Sequence, residues 1–267
     1  DSDSEISLVG TYSTGGTIPV SVAERGGVVY VLNAGSKGSI QGFALSDMCD
    51  LSPIGNLIEL DQGKAGVAPT DPPNGLATPA EVGFTPDGDL MVVIKVDGGG
   101  QNIPRPGVAS LNHYKISSDG TTSAGTLTKT KVVGRPSSLP FAFDFDQVGN
   151  LLFAEVFDGA LPSDFPNDLG LGAVTVWKEN AGAGGSYTQV DTVNVGQPLT
   201  CWVRYNPTNQ CAYTSNAGGD GSVSAVSTAG GIYKLAESKA AGLNGLIDLM
   251  WSQDGKNLYV LSPGVAP

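Results

Sequence analysis

The chain has 267 residues, a formal net charge of −12 and only 15% charged residues. An acidic surface of this kind repels phosphate backbones, which argues against nucleic acid as a partner. No apolar run reaches the ~20 residues of a bilayer-crossing helix, so no membrane is expected, and 38 Gly with 17 Pro favour short strands and tight turns.

The chain opens at Asp1 with no Met and no signal-like apolar segment. The expectation is a processed start or a fragment. The acidic composition fits an extracellular, secreted protein. Residues 5–11 read as an outer strand. A strand at 18–23 then leads through Glu24-Arg25-Gly26-Gly27 into Val-Val-Tyr-Val-Leu-Asn-Ala-Gly, ending at Gly35. The same pattern returns as Cys-Ala-Tyr-Thr-Ser-Asn-Ala-Gly, ending at Gly218, and as Asn-Leu-Tyr-Val-Leu-Ser-Pro-Gly, ending at Gly264. Degenerate copies lie at 89–96 and 150–156. Self-similarity at roughly 45–65 residues, with four short strands per unit, marks a β-propeller.

Each unit begins with a hydrophobic first strand (18–23, 80–85, 141–145, 200–205 and 246–252) followed by a short turn such as Pro86-Asp87-Gly88 or Gln253-Asp254-Gly255-Lys256. Pro fixes φ, Gly accepts positive φ, and Asp or Asn bonds its own backbone. Third strands are expected at 39–45, 109–116, 173–178 and 222–226, and outer strands at 51–60, 126–133, 187–195 and 231–237. The chain is thus read as one all-β domain, 1–267, with four complete blades and half of a fifth. Two closures stay open. The N-terminal strand completes the fifth blade in a five-bladed ring, or the chain is part of a larger propeller lacking material at both ends.

Three cysteines leave at least one unpaired. A turn centred on Pro207-Thr208 sets Cys201 opposite Thr214 and points Cys211 to the other face, which disfavours a bridge between them. Cys49 is an alternative partner.

Three stretches carry a family resemblance: Pro19-Val20-Ser21-Val22 into Tyr30-Val31-Leu32-Asn33-Ala34-Gly35; Phe141-Ala142-Phe143-Asp144 into 151–157; and Cys201-Trp202-Val203 into 213–218. They resemble the seven-bladed lactonase-like family that includes 3-carboxymuconate cyclase-like proteins and YVTN repeats. The resemblance implies seven blades and, in active members, His, Arg and Glu at the channel mouth. Here the one histidine, His113, lies in a third strand, away from the channel, and no Arg–His–Glu set matches.

Loop lengths are asymmetric. The first-to-second-strand turns are short, whereas 96–108, 156–172 and 61–79 are long and emerge on one face. Insertions on one face of a repeat fold mark a binding face; shielding of the channel mouth is the plainer account. The polar residues ending the second strands, Asn33, Lys95, Glu155, Asn216 and Ser262, are expected in register at that mouth. Lys95 and Glu155 are candidates for an acid–base pair or for an ion pair between blades. Arg105 is placed to hold an anion bidentately, and Phe157 and Phe165 offer aromatic contact. Asp158, Asp164 and Asp168 match no metal-binding spacing, and a solvated acidic loop is their default reading. No cofactor is expected. Two functions follow: binding of a small molecule, glycan or protein at the long-loop face, or lactonase or cyclase chemistry with Lys95 and Glu155.

Overall fold

The computed structural model describes residues 7–60, 78–95, 109–123, 127–132, 139–157, 170–181 and 185–263. Among these there is no α-helix, and the strands form four antiparallel four-stranded sheets and one two-stranded sheet. Blade 1 comprises β1 (Pro19–Arg25), β2 (Val28–Asn33), β3 (Ser39–Leu45) and β4 (Leu51–Glu59). Blade 2 comprises β5 (Pro79–Phe84), β6 (Leu90–Ile94), β7 (Ala109–Tyr114) and β8 (Leu127–Val132). Blade 3 comprises β9 (Pro140–Phe145), β10 (Leu151–Glu155), β11 (Ala173–Glu179) and β12 (Tyr187–Asn194). Blade 4 comprises β13 (Thr200–Asn206), β14 (Cys211–Asn216), β15 (Ser222–Ser227) and β16 (Lys234–Ala240). A half blade pairs β17 (Asp248–Trp251) with β18 (Leu258–Leu261). The β-propeller expected from the repeats is the observed architecture.

The core lies between blades. Leu90, Val92 and Ile94 of β6 pack against Tyr30, Leu32 and Ile40 of blade 1. The alternate residues, Met91 and Val93, pack the other way, against Phe143, Leu151 and Phe153 of blade 3. Leu152 and Ala154 in turn meet Val203 and Ala212 of blade 4. A strand buried on both faces has no polar side to present, and this is why Leu-Met-Val-Val-Ile and Leu-Leu-Phe-Ala read as continuous apolar runs. Each fully buried Leu, Ile or Val contributes roughly 1.5–3 kcal/mol, so blade-on-blade burial outweighs local turn preference.

The turns repeat at the opposite end from the long loops. In blades 2 and 3 the Gly88 and Gly149 N–H groups donate to Thr85 and Asp146 carbonyls at 2.9 and 3.0 Å. Both glycines sit at positive φ, +92° and +83°, where a Cβ would be strained.

Two expectations are corrected. The described residues of the 5–11 segment form no strand, and among the described residues β17 and β18 pair only with each other. Tyr12 Oη donates to Asp50 Oδ1 (3.0 Å) and Thr14 Oγ1 to Asn33 Oδ1 (2.7 Å), which hold this segment against blade 1. In blade 4 the β13–β14 loop spans four residues, 207–210, so that Val203 rather than Cys201 pairs with Thr214 and Cys201 falls in a bulge. All three cysteines are free thiols.

Candidate functional site

In every blade the second and fourth strands end where the first strand of a blade begins. The segments 61–77, 96–108 and 158–169 therefore leave the described structure at the same end of the channel. Arg105, Asp158, Asp164, Phe165 and Asp168 lie outside the described residues.

The expected register of rim residues does not hold throughout. In blades 1, 3 and 4 the polar residue itself pairs with the opening residue of the first strand: Pro19 with Asn33, Pro140 with Glu155, Thr200 with Asn216. In blade 2 Pro79 pairs with Ile94, and Lys95 stands one residue further on. In the half blade Asp248 pairs with Leu261 as Trp202 pairs with Ser215, so Ser262 follows at the position that Asn216 holds in blade 4. Strand side chains alternate with period two, so one step changes the direction in which a side chain leaves.

That difference separates the rim residues. Asn33 Nδ2 donates to Ser39 Oγ (3.1 Å) across the β2–β3 pair, and Asn216 does the same to Ser222 Oγ (3.0 Å) across β14–β15. Each also accepts a threonine hydroxyl, from Thr14 at 2.7 Å and from Thr200 at 2.8 Å. Both asparagines are fully buried fasteners within their own blades. Glu155, also buried, accepts from Thr175 Oγ1 at 2.9 Å. Phe157 is buried, and the half-buried Ser262 donates to the Asn244 carbonyl at 2.8 Å.

Lys95 is placed differently. It is 3% exposed, and its Nζ stands 4.1 Å above the centre of the Phe141 ring of blade 3. It lines a cleft of about 330 Å³ with Thr78, Pro79, Ala80, Phe141, Trp202, Ile247, Asp248, Leu261 and Val20. These residues come from the starts of the first strands and their neighbours, so the cleft is the channel mouth on the long-loop side. Burial drives the Lys95 ammonium down to about 7, with the nearby Cys201 acting the other way. Burial also raises the Asp248 carboxyl, while Arg204 draws it back. The indole N–H of Trp202 is buried with no hydrogen-bond partner among the described residues, and the Phe141 and Trp202 rings meet edge-on at 6.2 Å. Neither aromatic residue nor Asp248 was among the residues expected at the mouth.

Deeper in the channel wall, Arg204 Nη2 pairs with Glu81 Oε1 (2.8 Å) while its Nη1 donates to the Phe143 carbonyl (3.0 Å). Glu81 Oε2 accepts the Phe143 N–H at 2.6 Å, and Asp144 Oδ2 accepts the Tyr205 N–H at 2.7 Å. Burial pushes the Glu81 carboxyl up to about 7 against the pull of Arg204. With its oxygens and guanidinium nitrogens engaged, this network is a structural tie between blades.

His113 lies on β7, buried, with Nε2 3.3 Å from Asp89 Oδ2. It borders a cleft of about 260 Å³ between blades 2 and 3 with Lys115, Glu179 and Tyr187. This cleft includes the first-to-second-strand turns and is therefore on the side away from the mouth. Burial lowers the imidazole and Asp89 raises it. Among the described residues no three His, Cys, Asp or Glu side chains are grouped to hold a metal ion.

No protein-family model and no curated protein sequence matches the chain. Solved structures do. A provisionally assigned 6-phosphogluconolactonase of Bacteroides fragilis superposes with a TM-score of 0.63 at 18% identity over 92% of this chain. The chain spans 64% of that protein's length. The periplasmic gluconolactonase of Pseudomonas aeruginosa gives 0.51 at 13% identity, covering 91% of this chain and 77% of its own. The hydrazine synthase of Kuenenia stuttgartiensis gives 0.58 at 15%, covering 95% and 58%. Identities this low establish architecture and leave activity to the site. The chain has the β-propeller fold of lactonase-like proteins.

Proposed function

We propose that this chain is a lactonase-like β-propeller that binds a small organic ligand at the long-loop mouth of its channel. The observation that carries the reading is a lysine buried among aromatic and aliphatic walls. Burying an ammonium is costly for folding, and a cleft of about 330 Å³ with apolar walls and a few polar groups has the make-up of a ligand site. The seven-bladed, cyclase-like assignment belongs to this reading and rests on the strand resemblance. So does an extracellular location, which rests on the acidic composition. The test is a titration with sugar lactones, among them gluconolactone and 6-phosphogluconolactone, and with related acids, followed by the indole N–H resonance of Trp202. Saturable shifts, weakened in Lys95→Met, are expected. An unmoved indole signal across the panel defeats the reading.

Turnover of a small lactone or carboxylic acid is the second reading, with Lys95 and Glu155 as its acid–base pair. Lys95 borders the cleft, which favours it. Glu155 bonds to Thr175 and is not among the cleft's described walls, which does not. Full lactone hydrolysis by a Lys95→Met, Glu155→Gln double variant would exclude that pair.

A further inference from the structure

We propose that Lys95 is a carbonyl-reactive amine: the mouth cleft takes a small aldehyde or ketone with an apolar body and condenses it with Lys95 Nζ to an imine. The inference deepens the reading above and rests on the mouth being the binding face. Three features of the cleft carry it. The amine is buried at the wall of a half-open cleft rather than on the surface, with Nζ seated over Phe141. Pro79, Ala80, Trp202, Ile247 and Leu261 supply an apolar bed for the carbon body of a ligand. Asp248 borders the same space and is a carboxyl able to relay protons.

Nucleophilic attack needs the unprotonated amine; the Phe141 face favours the ammonium, and desolvation at this buried position outweighs it, as the lowered Lys95 value indicates. The chemistry balances without an oxidant or reductant. The Nζ lone pair forms the C–N bond as the carbonyl oxygen takes a proton from Asp248. Nζ then returns a proton to Asp248, the hydroxyl leaves as water after a second protonation from it, and the iminium nitrogen gives its remaining proton back to Asp248 to leave the imine. One carbonyl compound and one amine become one imine and one water. Asp248, its carboxyl raised by burial, carries protons between nitrogen and oxygen and ends as it began.

The experiment is reductive trapping on the whole chain. Benzaldehyde and cyanoborohydride are added near neutral pH, followed by intact mass and peptide mapping. A single benzyl adduct on Lys95 is expected, forming about 10-fold or more faster than on any surface lysine, because at neutral pH an ordinary amine is almost wholly protonated. The Lys95 rate levels off above about pH 8, while surface lysines keep accelerating toward their own values. Asp248→Asn slows trapping without moving the adduct. Label spread evenly over surface lysines, or an unmodified Lys95, overturns the inference, and neither result depends on a variant folding. Noncovalent binding at the mouth with Lys95 untrapped leaves the binding reading standing and ends this one. Trapping at Lys95 with no response to the lactone and acid panel does the reverse.

Discussion

Arg204 of blade 4 reaches past blade 3 to Glu81 of blade 2, closing an ion pair of 2.8 Å between first strands that are not neighbours. On the way it binds the Phe143 carbonyl, whose own N–H is held by the same glutamate. One buried pair thus fastens three blades. Removing one partner strands the other charge, so Arg204→Ala is expected to cost about 3–5 kcal/mol. The double replacement Glu81→Leu, Arg204→Met should cost less, because Glu81 is not left buried without its cation, and the remaining cost is the lost pull of Arg204 on Asp144 and Asp248. Urea denaturation of the two variants measures the difference. A double variant as unstable as the single one contradicts the assignment.

Lys95 makes stability depend on pH in a definable window. Its folded value is about 7, against 10.5 for a solvated lysine amine. Between those values the folded chain binds fewer protons than the unfolded chain, so stability rises with pH there, by up to ~1.4 kcal/mol per unit. The contribution is present above the unfolded value and is lost as pH falls through 7. Glu81 runs in a different window: its raised carboxyl contributes stability that is present below the unfolded value and lost as pH rises toward 7. Lys95→Met should therefore flatten the profile above neutrality and leave the acid side unchanged. It should also make the protein more stable than the parent near neutral pH. Denaturant midpoints from about pH 6 to 9 decide this.

The repeats made the blades legible. Strands such as Ser39–Leu45 fall where the alternation and turns put them, because each blade repeats one local pattern. The register at the mouth was less legible. Blades 2 and 3 share one register, Pro79 with Ile94 and Pro140 with Glu155, so Lys95 stands one residue past the position that Glu155 holds. That one-residue offset turns Lys95 toward Phe141 of blade 3, whereas Glu155 bonds Thr175 within its own blade. The Glu81–Arg204 tie was hidden for another reason, since its partners are 123 positions apart. Its signal was present as a lone charge in each otherwise apolar first strand from blade 2 onward: Glu81, Asp144, Arg204 and Asp248. The mouth aromatics Phe141 and Trp202 read as core residues because they are core residues as well as walls.

Asn216 illustrates how a rim position becomes internal. It accepts from Thr200 and donates to Ser222 and Ser224, all buried. Truncation leaves these hydroxyls without their partner, at a cost of about 1–3 kcal/mol. Asn216→Ala is expected to lower the melting temperature while ligand affinity, measured well below the melt, stays unchanged. A variant with intact stability and lost binding would instead place Asn216 at the ligand.

The three thiols should report the blade structure in order of access. Cys49 is exposed, in the turn between β3 and β4, and should react with a disulfide reagent at once. Cys211, half-buried with its thiol raised by burial, should follow more slowly. Cys201 sits buried in the β13 bulge beside the Lys95 cleft, its thiol pushed up to about 12. The thiolate is the reactive species, so Cys201 should react only as the protein unfolds. Its labelling rate under native conditions then measures opening of the mouth between blades 2 and 4. A ligand held by Lys95 should slow that rate in proportion to its occupancy. Labelling of Cys201 as fast as Cys49 would show that the cleft wall is not closed in solution.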